Sequence, residues 1–111
     1  MKLIAEGLPV VSGIANGPAR VVKKTKQDES FEGVFMESDI LVALSTLPEW
    51  EVLFPKAKAI LTQEGGFASH AAQVAPVYKK PCIIGIDGLM ERVSTGDIIL
   101  VDANEGKVFL I

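Results

Sequence analysis

Thr62-Gln63-Glu64-Gly65-Gly66-Phe67-Ala68-Ser69-His70-Ala71-Ala72 is the stretch on which the reading of this chain turns. It holds the only histidine among 111 residues. A β-rich run at residues 57–62 leads in, two glycines follow, and an Ala-Ala pair comes directly after the histidine. The local grammar is strand, glycine loop, helix start, with His70 at the helix start. A helix N-terminus carries unpaired backbone N–H groups and a partial positive charge, so it favours anions, phosphate above all. His70 is therefore the candidate nucleophile, an imidazole that accepts a phosphoryl group and passes it on.

The supporting residues follow from that chemistry. The attacking ring nitrogen must be free of its proton, and the other needs a partner that fixes the tautomer. Gly65 and Gly66 permit backbone conformations and a close approach that side chains would block. Ser69 can cap the helix or hydrogen-bond a phosphoryl oxygen. The helix end stabilises the anionic phosphohistidine by about 0.3–2 kcal/mol. The bland alternative is a histidine that merely sits near a helix cap. Nothing local to the motif names the atom that holds the second ring nitrogen.

Outward from this stretch the chain reads as mixed α/β. Residues 3–5 suit a short strand. Three glycines and two prolines between Gly7 and Pro18 mark a path with tight turns, and residues 19–22 suit a strand leaving it. Residues 23–32 are polar with charges of both signs, a solvated loop or short helix. Residues 39–44 form a nearly continuous apolar run, the mark of a strand covered on both faces. Thr46 is placed to cap a helix, with Pro48 in its first turn and Glu49 and Glu51 at its positive end. Trp50, Leu53 and Phe54 then fall at helical spacing and read as packing residues, and Pro55 stops the helix.

After His70 the helix runs through Ala75, where Pro76 is expected to kink or end it. Residues 81–86 are a short apolar strand, Asp87-Gly88 a turn, and residues 89–93 a single helical turn. The C-terminal part reads as a hairpin about Ala103-Asn104-Glu105-Gly106. The result is a β-rich beginning and end around a central strand–helix–strand–helix–strand segment, in one domain spanning residues 1–111.

Composition narrows the function classes. The chain is 49% hydrophobic with a formal net charge of −3, which fits a folded core and gives no reason to expect nucleic acid or an anionic membrane as partner. One cysteine, Cys82, allows no internal disulfide, and one histidine argues against a zinc site. Cys82 lies in an expected buried strand and reads as inert packing. No apolar run is long enough to cross a bilayer and no signal-peptide core is present, so a cytoplasmic location is the simplest expectation. Glu64, Asp87 and Asp102 could orient groups near His70, and Tyr78, Lys79 and Lys80 could belong to a docking surface; solvation explains each equally well.

Residues 62–85 resemble the mobile phosphohistidine domain of the phosphoenolpyruvate-utilising enzymes: phosphoenolpyruvate synthase, pyruvate phosphate dikinase and the enzyme I proteins. The residues carrying the resemblance are Gly65-Gly66, Ser69-His70-Ala71-Ala72 and Pro81-Cys82-Ile83-Ile84-Gly85. Further matches are Gly7-Leu8-Pro9 with residues 12–19, Thr46-Leu47-Pro48-Glu49-Trp50, and Val101-Asp102 with Gly106-Lys107-Val108. The resemblance implies a single swivelling β/β/α domain of the α/β class. It implies that His70 is phosphorylated and carries the group between an ATP-grasp nucleotide-binding domain and a TIM-barrel domain that binds pyruvate or phosphoenolpyruvate.

By that likeness the chain alone binds no cofactor, and Mg²⁺ with ATP or phosphoenolpyruvate sits on partner domains acting in trans. The resemblance fits a separate mobile subunit, a signalling phosphocarrier or a piece of a larger enzyme. Three positions depart from the pattern. Ala68 stands where Thr is usual, Gln73 where an aliphatic residue is usual, and Pro76 where Arg is frequent. Gln73 and Pro76 keep open a non-catalytic regulatory or signal-transducing module on the same scaffold.

Overall fold

The computed structural model describes residues 1–23 and 35–111. Its strands are β1 (Lys2–Glu6), β2 (Leu8–Val11), β3 (Ile14–Val22), β4 (Ile40–Ala43), β5 (Ile60–Thr62), β6 (Cys82–Ile84), β7 (Ile98–Asp102) and β8 (Lys107–Leu110). A 3₁₀ helix spans Pro48–Leu53, α1 spans His70–Tyr78 and α2 spans Leu89–Arg92. The strand order is β1-β8-β7-β3-β4-β5-β6-β2.

β3 joins two limbs of this sheet. Its first half pairs antiparallel with β7, Ile14 opposite Asp102 through Pro18 opposite Ile98. Its second half pairs parallel with β4, Ala19 opposite Ile40 through Val22 opposite Ala43. Pro18 stands at the changeover. β4, β5 and β6 continue in parallel, and β2 closes that limb antiparallel to β6.

Period-two alternation then sorts the side chains into two cores. Ile40, Val42, Leu61 and Ile83 point one way, toward Ala5, Ile99, Val101 and Val108 of the antiparallel limb. Leu41, Ala43, Ile60, Cys82 and Ile84 point the other way, toward Trp50, Leu53 and Phe54 and the alanines of α1. Two sheet layers and one helical layer result, the β/β/α arrangement. All four β4 residues are fully buried, as the apolar run at 39–44 predicts. Each large side chain so placed stabilises the fold by about 1.5–3 kcal/mol.

The differences from expectation have local causes. The glycine- and proline-rich stretch from Gly7 to Pro18 is strand at Leu8–Val11 and from Ile14 onward, because those residues pair with β6 and β7, and the expected breaks fall at Gly7 and at Ser12-Gly13, where Gly13 has φ +137°. Glycine serves close approach there: a Cβ on Gly17 would lie 2.6 Å from the Ser38 carbonyl oxygen. α1 runs through Pro76 for two more residues and ends at Lys79, whose φ of 56° is left-handed. Pro76 removes only its own N–H from the ladder, and the carbonyls of Ala75 and Pro76 are taken up by the Lys79 and Lys80 amides just beyond. Beyond Lys23, the expected polar loop lies outside the described residues. The single turn at Leu89–Arg92 and the β7–β8 hairpin form as expected. No helix among the described residues is long and apolar enough to cross a membrane.

Candidate phosphoryl-transfer site

The parallel strands end where the glycine loop begins. The Gln63 and Glu64 amides donate to the carbonyls of Ala43 and Leu44 at 3.1 and 2.8 Å, and Ile86 N–H donates to the Thr62 carbonyl at 3.0 Å. The Gln63 side chain accepts from the Met90 amide at 2.8 Å, which ties the loop to α2. Gly65 then adopts φ +120°, a conformation that favours glycine, and a Cβ there would sit 3.0 Å from Cβ and Oγ of Ser69. A Cβ on Gly66 would meet nothing within 4 Å. The two glycines therefore differ: Gly65 is required by the turn, and Gly66 keeps the outer side of the loop bare.

Ser69 is the N-cap of α1. Its backbone is extended, and its Oγ accepts from Ala72 N–H at 3.3 Å. Its amide donates to the Gly66 carbonyl at 3.0 Å, which closes the loop. His70 is the first residue of α1, as expected. The buried faces of Ala71, Ala72 and Ala75 carry only methyl groups, so α1 packs close to the sheet and its N-terminus is fixed against the end of β5.

The imidazole is held from a distant part of the chain. Its Nδ1 lies 2.8 Å from Oγ1 of Thr46, and its ring stands edge-on to Phe54 with centroids 5.8 Å apart. Nε2 is buried and has no hydrogen-bond partner. Thr46 therefore does not cap the 3₁₀ helix. The N-cap there is Leu47, without a side-chain bond, and Pro48 at the first helical position has no N–H to be capped. The free threonine hydroxyl turns to the histidine instead. Trp50, Leu53 and Phe54 are buried as packing residues.

None of the other candidates hydrogen-bonds the imidazole, whose one partner among the described residues is Thr46. Asp102 caps the β7–β8 turn by accepting from the Asn104 and Glu105 amides. Glu64 and Asp87 are exposed. Tyr78 donates to Glu51 Oε2 at 2.9 Å, and that bond raises its pKa. Cys82 is fully buried, and desolvation pushes its thiol up to about 12. Among the described residues no three of His, Cys, Asp and Glu are gathered to hold a metal ion. An apolar groove of about 420 Å³ lies beside the Thr46 loop, lined by Leu44, Leu47 and Trp50, and does not include His70.

Two features escape local reading. The Thr46–His70 contact spans 24 positions and depends on β4 and β5 lying side by side. Its only trace in the sequence is the Thr-x-Pro-acidic-Trp resemblance. The second is Thr62, a buried polar residue at the end of an apolar strand.

Residues 35–106 match the family model described as the mobile domain of PEP-utilising enzymes. The chain belongs to this family. The uncharacterised phosphotransferase YvkC of Bacillus subtilis is 39% identical over 105 residues, 95% of this chain and 12% of the relative. The phosphoenolpyruvate synthase of Aquifex aeolicus is 39% identical over 106 residues, 96% of this chain and 12% of the relative. A solution structure of an enzyme I protein superposes with a TM-score of 0.56 at 26% identity, covering 65% of this chain and 30% of that one. The mobile domain thus spans about an eighth of the curated relatives it matches.

Proposed function

We propose that this mobile domain is a phosphocarrier that accepts a phosphoryl group on His70 and passes it between partner active sites of a phosphoenolpyruvate synthase or dikinase-like system. The observation that carries the proposal is the state of the imidazole: Nδ1 held by Thr46, Nε2 without any partner, at the first residue of a helix. When the proton resides on Nδ1 and is donated to Thr46 Oγ1, the Nε2 lone pair is the free one.

Nε2 attacks the phosphorus as the bond to the leaving group breaks, and the electron pair departs with that group. The ring keeps its Nδ1 proton while the N–P bond exists. A second acceptor then attacks phosphorus, and the pair returns to Nε2. Because Nε2 is covered in this conformation, attack requires the ring or whatever covers it to move enough to admit the donor. Positioning and charge stabilisation dominate phosphoryl transfer. The proposal therefore assigns Mg²⁺, ATP and phosphoenolpyruvate or pyruvate to ATP-grasp and TIM-barrel partners, with Gly65, Gly66 and Ser69 supporting the group here.

The test uses a phosphoenolpyruvate synthase whose own mobile-domain histidine is replaced by alanine. Adding this protein in trans should restore ATP- and pyruvate-dependent turnover, and His70→Ala should not. Equal restoration by His70→Ala would refute the carrier role.

A further inference from the structure

Two buried side-chain atoms among the described residues have no hydrogen-bond partner: Nε2 of His70 and Oγ1 of Thr62. Thr62 is the last residue of β5 and is 1% exposed. Its carbonyl is satisfied by Ile86 N–H, so only the hydroxyl is unpaired. The position that a Cβ on Gly65 would occupy is 3.9 Å from that hydroxyl and 3.0 Å from Ser69 Oγ. The two hydroxyls thus lie against the side of Gly65 that carries no side chain.

α1 starts at the same place. Ala72 N–H is taken by Ser69 Oγ and Gln73 N–H by the Ser69 carbonyl, while the amides of His70 and Ala71 have no partner among the described residues. An unpaired buried hydroxyl weakens a fold, and valine suits a strand end at least as well. Thr62 serves neither packing nor the ladder by carrying its oxygen. An oxygen of a bound anion is one partner that satisfies it.

We propose that Thr62 is a phosphate-binding residue. Its hydroxyl donates to an oxygen of a tetrahedral phosphoryl group seated over Gly65, beside Ser69 Oγ and the first amides of α1. This deepens the phosphocarrier reading and rests on it: the cradle holds the group that His70 receives or has just released. Thr62 makes and breaks no covalent bond. It supplies one neutral donor to a charged oxygen.

The experiment titrates the protein with inorganic phosphate at constant ionic strength and follows backbone amide shifts. The amides of Gly65, His70 and Ala71 should shift saturably in the wild type. Thr62→Val should weaken phosphate binding roughly 10- to 100-fold, the loss of one hydrogen bond to a charged group. Its Tm should equal or exceed that of the wild type, and Thr62→Ser should bind as the wild type does. No saturable shift in the wild type overturns the proposal, as does equal affinity in Thr62→Val. A lowered Tm with unchanged affinity marks a structural hydroxyl and overturns it as well. Phosphate bound in this manner by a protein that never takes label on His70 supports the Thr62 site and refutes the carrier reading.

Discussion

Replacing Thr46 by valine probes the contact that orients the imidazole. Valine keeps the branched shape of a side chain that is 7% exposed, so little packing is lost. What goes is the single 2.8 Å bond to His70 Nδ1. A neutral hydrogen bond nets about 0.5–1.5 kcal/mol, and a buried polar atom left unpaired costs about 1–3 kcal/mol. His70 is half-buried, which places the expected loss near the middle of these, at about 1–2 kcal/mol. For a domain of this size that is a fall in Tm of roughly 5–15 °C. Thermal unfolding of Thr46→Val, His70→Ala and the double variant forms the assay. Coupling between the two sites should be about 1 kcal/mol, because with the imidazole gone the threonine hydroxyl has nothing to hold. Phosphoryl transfer to the Thr46→Val protein should slow by roughly 10- to 100-fold, since a ring freed from its anchor samples unproductive orientations. A Thr46→Val protein with wild-type Tm and wild-type transfer rate would refute the anchoring role. So would a loss of stability that is the same whether or not His70 is present.

Two further outcomes are expected. Pro76→Ala should stabilise the fold by about 1–3 kcal/mol, because it restores the one helical donor that proline withholds at an exposed site, and urea unfolding checks this. Cys82 should resist thiol reagents in the native state. Its thiol is raised by burial from 9.0 to about 12, so the folded state stays protonated while the unfolded state ionises. The contribution is fully present below pH 9 and is lost as pH rises from 9 toward 12, by about 1.4 kcal/mol per unit at most. A Cys82→Ala protein should lack that part of the alkaline slope.

The sequence stated the local structure well where one segment decides its own conformation. The apolar run of β4, the Ser69 cap, the helix start at His70 and the closing hairpin are all set by neighbours within a few positions. Reading was poorer where a distant strand decides. Pro9, Gly17 and Pro18 are turn-forming by habit, yet β6 and β7 recruit them into strands, and only Gly7 and Gly13 are left at the breaks. Thr46 looks like a cap because it precedes a proline and two glutamates. The parallel register of β4 and β5 instead carries it to the imidazole, 24 residues away. Pro76 breaks an isolated helix, but here the helix is held by the burial of Ala71, Ala72 and Ala75 and closes only one turn later. The site follows the same division. His70 and its cap were visible in the motif, whereas its anchor and the buried hydroxyl of Thr62 belong to the tertiary arrangement.

The central claim is that His70 takes the phosphoryl group. Incubation with labelled ATP or phosphoenolpyruvate and the partner domains, followed by peptide mapping, tests it most directly. The account predicts one phosphate on the peptide bearing His70, stable in base, lost in acid and absent from His70→Ala. Label retained by the His70→Ala protein, or a wild-type chain left unlabelled by both donors, would contradict it.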